Sequence, residues 1–513
     1  MSAQLKENIM TNIFKIKHNK TGTDFDTALL FETSDDTHSK SGVDLEEIAD
    51  FDIQTGLSAR ETVDLPSHSE PEVIRHFTRL SQKNFSIDTG FYPLGSCTMK
   101  HNPRINEKVA RFDGFAQIHP LQPTRTVQGA LELMHELEHW LSELSGLAAV
   151  SLLPAAGAHG EYTGMRVIKQ SHIKKEGNPR KYVIIPDSAH GTNPSTTSAI
   201  GYDIITVKTG SDGSCILSDI EDAVEKYGTE IAAIMITNPN TCGKFEKSIG
   251  EISKLIHSVG AYFYCDGANF NAIVGNIRPA DFGVDVMHFN LHKTFSTPHG
   301  GGGPGCGPIA VSEELSEFLP TPLIVKNDNG FEVVRDSEHS IGQIKGFYGQ
   351  FTLMVRAYAY MTSFGIDGLK QVSLDAVLSA NYILNKLKDY YYVPYEGRCM
   401  HECLITDKLQ KAKEGVTTLD IAKTLIDYGF HPMTTYFPLV VPGTMLIEPT
   451  ETETKATIDH FIEAMIEIAE DVEDGNIEDI KNAPIMTKYD RLDETLAARN
   501  PILTYNDLIA ENS

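Results

Sequence analysis

The sequence predicts an α/β protein, with a mostly parallel, doubly wound sheet in a large domain and a smaller C-terminal α/β domain. Short apolar runs alternate with helical patterns between residues 148 and 291, a rhythm typical of parallel sheets. A long, largely apolar helical stretch over residues 346–364 leads into a second, shorter α/β succession. We therefore expect an N-terminal arm and docking segment over residues 1–115, a large domain over 116–335, and a small domain with a tail over 336–513.

Composition excludes several classes of function. The 513 residues carry a formal charge of −26, which argues against nucleic acid as a partner, because neutralising phosphates requires clustered Lys and Arg. The same charge disfavours binding to an anionic membrane surface. The chain has no stretch of about 18 apolar residues, so no membrane span is expected.

Cysteine usage and the N-terminus indicate a reduced, cytoplasmic protein. The seven cysteines, spread from Cys97 to Cys403, do not form the pattern of a disulfide framework. Residues 1–20 lack the apolar core of a signal peptide. The segment Cys399-Met-His-Glu-Cys403 matches no common zinc spacing, and we expect no metal site.

The first elements can be justified from local signals. Residues 1–75 are polar and acidic, which predicts an extended arm. Ser69 predicts a helix N-cap, with Pro71 in the first turn. Residues 126–145 predict an amphipathic helix, because apolar residues recur at spacings of three and four, and Gly146 would end it.

A turn of small residues at positions 154–161 links a predicted strand at 148–153 to a predicted helix. Free backbone N–H groups and the helix dipole would make Ala156, Gly157 and Ala158 an anion cradle. A plain strand-to-helix connection is the alternative, and the turn alone does not decide between them.

Five further apolar runs predict the remaining strands of the large domain, at residues 181–186, 203–207, 231–237, 261–265 and 286–291. Helices are predicted between them at residues 218–227 and 249–259. The polar turns that follow the strands would gather at one edge of the sheet, where ligands bind in doubly wound folds.

The C-terminal part predicts a second set of elements. Helical patterns cover residues 374–387, 417–428 and 452–471, and strands are expected near Cys403 and Phe437. Glu451 and Glu453 would form an acidic first turn of the last helix, as the helix dipole favours.

Lys293 ends the last apolar run of the large domain, and four consecutive glycines follow at residues 300–303. A desolvated lysine loses its proton more easily and can form a Schiff base. A solvated lysine at a strand end is the alternative, and a lone lysine before a glycine loop favours that alternative.

Pyridoxal phosphate requires a lysine, an anion cradle, a carboxylate at its pyridine nitrogen and a flat group on its ring. The chain offers a candidate for each at predicted strand ends, namely Lys293, the 156–158 turn, Asp266 and His190. Taken singly, Asp266 has the alternative of a helix N-cap, and His190 that of a hydrogen-bonded loop histidine. Their joint occurrence in this order predicts a pyridoxal phosphate site at Lys293.

Several motifs resemble the glycine dehydrogenases (decarboxylating), the P proteins of the glycine cleavage system, over about residues 60–500. The motifs are Tyr92-Pro-Leu-Gly-Ser-Cys-Thr-Met-Lys100, Pro154-Ala-Ala-Gly-Ala-His-Gly-Glu161, Asp187-Ser-Ala-His-Gly-Thr-Asn-Pro194, Tyr264-Cys-Asp-Gly-Ala-Asn269, Asn290-Leu-His-Lys-Thr294 and Glu448-Pro-Thr-Glu-Thr-Glu453. The sequence departs from the family at Asn290-Leu291, where members often have Ser-Phe. Because the family also has a much longer single-chain form, this chain resembles the separate second subunit.

The resemblance implies a fold-type I pyridoxal phosphate enzyme with Lys293 as the Schiff-base lysine. It implies that Asp266 is the pyridinium partner and His190 the ring-stacking residue, with Ala268 also at the cofactor. His292 is expected as an acid or a phosphate contact. The loop with Tyr92, Ser96 and Cys97 would line the substrate pocket or the lipoyl entry, and a plain structural turn is the alternative.

The resemblance also implies the reaction and the partners. Glycine would lose its carboxylate as carbon dioxide, and its aminomethyl group would pass to the lipoyl disulfide of H protein. A first subunit would complete a heterotetramer with two of each subunit. Two alternatives are a freestanding pyridoxal phosphate-dependent amino-acid decarboxylase or aminotransferase, which needs no H protein, and a non-enzymatic paralogue, which predicts a broken imine lysine.

Overall fold

The computed structural model describes residues 27–34, 65–300, 305–487 and 489–511. Most of the predicted arm over residues 1–75, and most of the glycine run, lie outside the described residues. The chain forms two compact units, Met1–Gly90 with Asn482–Ser513, and Phe91–Lys481. Every candidate site residue lies in the second unit, while the predicted domain boundaries after residues 115 and 335 stay a prediction.

The first unit begins with α1 (Leu30–Thr33) and α2 (Glu70–Gln82). Ser69 is the N-cap of α2, and its backbone N–H donates to Glu72 Oε2 at 2.8 Å. Pro71 lies in the first turn, where a missing N–H costs no helical hydrogen bond. The predicted start of this helix is confirmed.

The second unit opens with the helices α3 (Arg104–Ala110), α4 (Asp113–Ala116) and α5 (Gln128–Ser145). Apolar residues three and four positions apart form the buried face of α5, namely Leu131, Met134, Leu137, Leu141 and Leu144. Gly146 follows with φ 74°, a left-handed conformation that glycine adopts without strain. The predicted helix and its end are confirmed.

Seven strands form the main sheet: β1 (Ala149–Ser151), β2 (Tyr182–Pro186), β3 (Asp203–Val207), β4 (Ile231–Thr237), β5 (Tyr262–Gly267), β6 (Val286–Phe289) and β7 (Ile309–Val311). Their order across the sheet is β1-β7-β6-β5-β4-β2-β3. All neighbours from β3 to β6 are parallel, whereas β7 is antiparallel to both β6 and β1. The prediction of a mostly parallel sheet is confirmed.

Helices cover both faces of this sheet. They are α6 (Gly157–Glu176), α7 (Thr192–Ile200), α8 (Leu217–Tyr227) and α9 (Ile249–Ser258). Successive residues of a strand point to opposite faces. Accordingly, Phe263 of β5 packs in the core that contains α5 and α9, while Tyr264 packs in the core that contains α6. The sheet is therefore doubly wound.

The register of the sheet brings three polar residues side by side. Thr237 of β4 pairs with Asp266 of β5, which in turn pairs with His288 of β6. Residues opposite each other on neighbouring strands point to the same face. Strand register therefore places these three side chains at one edge of the sheet, at the carboxyl ends of the strands.

The structure corrects the predicted end of β6. The strand ends at Phe289, and Lys293 lies in the short helix α10 (Leu291–Thr294) rather than at the strand end. The Asn290 carbonyl accepts the N–H groups of Lys293 and Thr294, so the chain coils immediately after the strand. Leu291 is fully buried, and in the sequence it continues the apolar run of β6. An apolar run of this length does not distinguish a strand from a buried helical turn.

A two-stranded antiparallel hairpin, β8 (Leu323–Asn327) and β9 (Gly330–Val334), precedes the long helix α11 (Phe351–Leu387). The sequence predicts two helices here, at residues 346–364 and 374–387. The prediction of two helices is confirmed, because α11 consists of two helical segments that meet at a kink at Gly365, whose φ of 60° and ψ of −178° are not helical. A positive φ of this kind is the conformation for which glycine is required.

The C-terminal part of the second unit is a smaller α/β assembly. Its elements are β10 (Cys403–Thr406), α12 (Lys408–Glu414), α13 (Thr418–Asp427), β11 (Thr434–Thr435), β12 (Thr444–Ile447) and α14 (Lys455–Asp474). The three strands form an antiparallel sheet in the order β10-β12-β11. The predicted small α/β domain is confirmed in its class.

The strand expected near Phe437 is β11, which ends before Pro438, a residue that lacks the N–H that a strand ladder needs. One predicted boundary in this part is wrong. The last long helix begins at Lys455, because Thr454 is its N-cap and accepts the Thr457 N–H at 3.2 Å. Glu451 and Glu453 therefore precede α14 instead of forming its first turn.

The chain ends with α15 (Glu478–Asn482), α16 (Glu494–Arg499) and α17 (Tyr505–Glu511). Among the helices of the described residues, none combines the length and apolarity that crossing a membrane requires. All seven cysteines are free thiols.

Candidate active site

A cavity of about 230 Å³ lies at the carboxyl ends of β4, β5 and β6. Its lining includes the predicted residues Ser96, Gly157, Ala158, His190, Asp266, Ala268, His292 and Lys293. These residues come from separate turns that follow β1, β2, β5 and β6 and from the loop before α3. The structure thus assembles in one place most of the side chains that the sequence singled out.

Lys293 is half-buried and points its amino group toward the 92–100 loop. Its Nζ donates to the Ser96 carbonyl oxygen at 2.6 Å. In α10 the lysine is held from both sides, because the Leu291 N–H donates to the Cys306 carbonyl and the Lys293 N–H to that of Asn290. The amino group is therefore fixed in direction at the wall of the cavity.

Asp266 is buried and both of its carboxylate oxygens accept hydrogen bonds. Oδ2 accepts from Asn193 Nδ2 at 3.0 Å and from Thr237 Oγ1 at 3.3 Å, and Oδ1 accepts from the Ala268 N–H at 2.9 Å. Burial raises the pKa of this carboxyl, but His288, Asn193 and the Ala268 N–H outweigh burial and hold it below its ordinary value. Asp266 is therefore ionised at neutral pH.

His288 and Glu161 extend this network behind the carboxylate. Burial lowers the pKa of His288, whose Nε2 lies 3.2 Å from Asp266 Oδ1 and whose Nδ1 lies 2.8 Å from the Tyr264 hydroxyl. A neutral ring fits both contacts when Nε2 donates to Asp266 and Nδ1 accepts from Tyr264. Burial, and next the charge of Asp266, raise the pKa of Glu161 to about 7. Asp266 is therefore kept ionised, whereas the neighbouring Glu161 titrates near neutral pH.

The N-terminus of α6 opens onto the same cavity. Ala156 is the N-cap in an extended conformation, and Gly157 and Ala158 line the cavity. The first N–H groups of a helix have no intrahelical partner and carry partial positive charge. A side chain at Gly307 would collide with the Ala156 carbonyl, so only glycine there lets this turn close. This geometry is compatible with an anion at the cavity, and the anion cradle stays a prediction.

His190 lies in the loop after β2, with its ring exposed. Its Nδ1 accepts the Thr192 N–H at 3.2 Å, and Thr192 Oγ1 in turn donates to Glu161 Oε1 at 2.7 Å. Partial burial, and then the charge of Lys293, lower the pKa of His190. The imidazole is thus neutral, fixed in orientation, and able to offer a flat face.

His292 also lines the cavity as a neutral ring. Burial, and next His299, lower its pKa to about 3. Its Nδ1 accepts the Cys306 N–H at 3.3 Å, so the neutral ring carries its proton on Nε2, which lies 3.4 Å from Asn290 Nδ2. The structure therefore favours a hydrogen-bond donor at this position over a group that releases a proton at neutral pH.

The predicted 92–100 loop lies only partly at the cavity. Ser96 lines it, whereas Tyr92 and Cys97 are not among its lining residues. The Tyr92 ring stacks on His431 with centroids 3.9 Å apart, and burial raises the pKa of the Cys97 thiol. Substrate contacts by Tyr92 and Cys97 remain a prediction.

Sequence patterns missed several residues of the site. Glu161, Thr192, Thr237, Thr241, Asn269, His288 and Asn290 also line the cavity. His288 carried a usable signal, because a histidine inside a short apolar strand must find a buried partner. Thr237 and Asn290 carried another, since each ends an apolar run at the edge where ligands bind.

Comparisons with known proteins agree with this geometry. The family model described as glycine cleavage system P-protein matches residues 38–335, and that described as glycine dehydrogenase, C-terminal domain, matches residues 372–488. The probable glycine dehydrogenase (decarboxylating) subunit 2 of Caulobacter vibrioides is 54% identical over 493 residues, which cover 94% of this chain and 93% of that protein. The protein of the same name from Bacillus cytotoxicus is 50% identical, covering 94% and 98%.

Solved structures show the same fold at low sequence identity. An inhibitor-bound glycine decarboxylase (P-protein) of the glycine cleavage system has a TM-score of 0.67 at 20% identity, covering 81% of this chain and 93% of that one. Oryza sativa TDC with PLP and tryptamine has a TM-score of 0.61 at 12% identity, covering 80% and 90%. The fold is therefore fold-type I, as expected. By its matched length and identity, the chain belongs to the glycine cleavage system P-protein family.

Proposed function

We propose that this chain is the pyridoxal phosphate-binding subunit of a glycine dehydrogenase (decarboxylating). It would remove carbon dioxide from glycine and pass the aminomethyl group to the lipoyl arm of H protein. The observation that carries the proposal is the convergence of Lys293, Asp266 and the α6 N-terminus on one cavity. Relatives named subunit 2 of that enzyme match the chain over nearly their whole length.

The residues around the cavity fit pyridoxal phosphate. Three buried side-chain oxygens there, Glu161 Oε2, Asn269 Oδ1 and Asn290 Oδ1, have no hydrogen-bond partner. Buried polar atoms without partners are costly, so their presence points to a polar ligand. A lysine, a helix N-terminus and an ionised carboxylate match the three polar ends of this cofactor.

Each residue has a distinct role in the proposed reaction. When bound, the cofactor supplies an aldehyde carbon that condenses with amines and a pyridine ring that takes up electrons as carbon dioxide leaves. Lys293 would hold the cofactor through Nζ. Asp266, kept ionised, holds a proton at the ring nitrogen. His190 offers its flat face to the ring.

Two further residues handle protons and orientation. His292, whose neutral ring carries its proton on Nε2 when Nδ1 accepts the Cys306 N–H, orients an acceptor group in the cavity. Glu161 has a pKa of about 7 and is able to exchange a proton at working pH. Ser96 accepts from Lys293 Nζ and fixes the direction from which the amine reaches the cavity.

The partners are part of the proposal. The relatives' name implies a first subunit, and we expect a heterotetramer with two copies of each subunit. H protein would deliver the lipoyl disulfide to the cavity. A cytoplasmic location stays a prediction.

The test combines mapping with reconstitution. The full chain is loaded with pyridoxal phosphate, reduced with borohydride and digested, and the reduced cofactor is expected on Lys293 alone. Release of labelled carbon dioxide from carboxyl-labelled glycine is then measured with the first subunit and lipoylated H protein. H protein without lipoate is the control.

The outcomes separate the alternatives. Release that requires both partners supports the proposal. Release from the chain alone at the same rate would instead indicate a freestanding decarboxylase. An unlabelled Lys293 would contradict the cofactor assignment itself.

A further inference from the structure

Two sequence motifs whose roles are still open meet behind the cavity. Glu402 belongs to the Cys399–Cys403 segment, and Glu448 begins the Glu448–Glu453 motif. Cys403 of β10 pairs with Ile447 of the neighbouring antiparallel strand β12. Glu402 precedes Cys403 and Glu448 follows Ile447, so the two glutamates lie beside each other at the ends of these strands. His401 lies beside them, with Nε2 3.8 Å from Glu448 Oε1.

This cluster is fully buried and incompletely satisfied. One nitrogen or oxygen from each of His401, Glu402 and Glu448 lies within 4.8 Å of the others, and all three side chains are at most 1% exposed. Glu402 Oε1, Glu448 Oε1 and both His401 nitrogens have no hydrogen-bond partner. Two carboxylates this close in an apolar interior cannot both be ionised without a large cost.

The remaining oxygens of the pair hold the loop that contacts Lys293. The Ser96 N–H donates to Glu402 Oε2 at 2.7 Å, and the Thr98 N–H donates to Glu448 Oε2 at 3.0 Å. Both residues have positive φ, 61° at Ser96 and 46° at Thr98, a conformation that non-glycine residues rarely adopt. Such strain persists only where surrounding groups enforce it, and it clusters at functional sites.

The chain from the pair to the lysine is continuous. Glu402 holds the N–H of Ser96, and the carbonyl of Ser96 accepts from Lys293 Nζ at 2.6 Å. Gly95 anchors the start of the loop, because its N–H donates to the Leu446 carbonyl at 3.2 Å and a side chain there would collide with Leu446. The carboxyl pair therefore reaches Lys293 through a single strained residue.

We propose that Glu402 and Glu448 share one proton and act as positioning residues, holding the 94–98 loop so that the Ser96 carbonyl fixes Lys293 Nζ. The proposal rests on the proposed function, because Lys293 is the residue being positioned. Neither carboxyl lines the cavity, so neither is assigned a contact with substrate.

Electrostatics support a shared proton. Burial, and next Glu448, raise the pKa of Glu402, while burial raises that of Glu448 to about 7. Burial lowers the pKa of His401 to about 3, so the ring is neutral and cannot compensate two carboxylates. The other titratable groups whose charges act on the pair or respond to it are Lys293, Cys97, Glu451, Cys242, Cys399 and Cys403.

The test measures amide hydrogen exchange of the peptide spanning residues 91–100 in the full chain, corrected for intrinsic rates. When the loop opens, water reaches the pair and its carboxyls return to their ordinary pKa of about 4.5. The closed loop thus binds more protons, and its stability falls as pH rises toward about 7. If opening of the loop releases one proton, the equilibrium constant for loop opening rises about tenfold per pH unit between pH 5 and 7.

Variants separate titration from simple hydrogen bonding. Glu448→Gln keeps an oxygen for the Thr98 N–H but cannot titrate, so its pH dependence is expected to be shallower. The double variant E402Q/E448Q is expected to show none. Glu453→Gln, in the same motif but outside the cluster, is the control and keeps the wild-type pH dependence.

A second readout follows the lysine itself. Cofactor labelling of Lys293 by borohydride is expected to slow about tenfold in Glu448→Ala, which loses the acceptor for Thr98, and to recover in Glu448→Gln. Wild-type exchange that is independent of pH would overturn the shared proton even if labelling is normal. Absent labelling in the wild type would instead overturn the proposed function.

A third measurement tests whether a metal ion, rather than a proton, lies between the two carboxyl groups. A stoichiometric metal ion in the purified chain, lost in E402Q/E448Q, would show that a cation and not a proton joins the carboxylates. Metal-free protein with the expected exchange profile supports the proposal.

Discussion

Lys100 is a buried cation whose removal tests how the cavity wall is held together. Its Nζ donates to Glu451 Oε1 at 2.7 Å, the Thr294 carbonyl at 2.8 Å, Asn271 Oδ1 at 2.9 Å and the Tyr360 hydroxyl at 3.2 Å. Burial lowers the pKa of Lys100, but Glu451 and Tyr360 outweigh burial and raise it, so the amine is charged. The lysine thus joins the 92–100 loop to α10 and α11.

Lys100→Met would leave the buried Glu451 without its cation, with only Asn271 Nδ2 at 3.2 Å and the Tyr360 hydroxyl at 3.3 Å donating to it. The Lys100 and Glu451 side chains are 1% and 8% exposed, so water cannot replace the lost partner. Breaking a buried pair by removing one member costs about 3–5 kcal/mol. The double variant Lys100→Met/Glu451→Gln removes both charges and is expected to recover about 2 kcal/mol of that loss.

The assay is equilibrium urea unfolding of the cofactor-free chain, followed by the fluorescence of Trp140, its single tryptophan. Trp140 reports on the second unit, because its ring stacks on Tyr358 of α11 at 4.5 Å. Lys174→Met is the control, since the pair with Glu317 is 40% and 42% exposed and should contribute less than about 1 kcal/mol. A loss in Lys100→Met no larger than in the control would refute the argument.

Three further predictions concern the cavity. Asp266→Asn is expected to lower release of labelled carbon dioxide about 100-fold at full cofactor occupancy, because a neutral amide cannot hold the ring proton; unchanged release would contradict the assigned role. Gly307→Ala pushes the Ala156 turn open, so the cofactor concentration for half-saturation, measured by absorbance, should rise at least about tenfold. Glu161→Gln should remove an inflection near pH 7 from the activity profile, since Glu161 is the cavity carboxyl whose pKa lies there; an inflection that persists assigns it to another group.

The sequence predicted those parts of the site that are built from residues directly following buried strands. In a parallel sheet, polar residues that follow buried strands meet at one edge, which is why the sequence alone could place Asp266 near Lys293. The helical turn at Lys293 could not be foreseen, because the buried Leu291 continues the apolar run.

The carboxyl pair could not be predicted for a different reason. Ser96 and Glu402 are 306 positions apart, and Thr98 and Glu448 are 350 apart. No spacing or periodicity indicates which distant loop supplies an acceptor to which backbone N–H. The same holds for Lys100, whose partner Glu451 belongs to a segment that the sequence assigned to a helix.

These long separations fix when the site is completed during synthesis. The 94–100 loop is among the first hundred residues synthesised, yet its acceptors Glu402, Glu448 and Glu451 follow 306, 350 and 351 positions after their donors. Domains generally fold as units in the order of synthesis, and contacts distant in sequence form slowly. The strands of the main sheet are thus all synthesised before the lysine has its support, so a nascent chain halted before residue 402 contains Lys293 without Glu402, the acceptor that holds Ser96 against it.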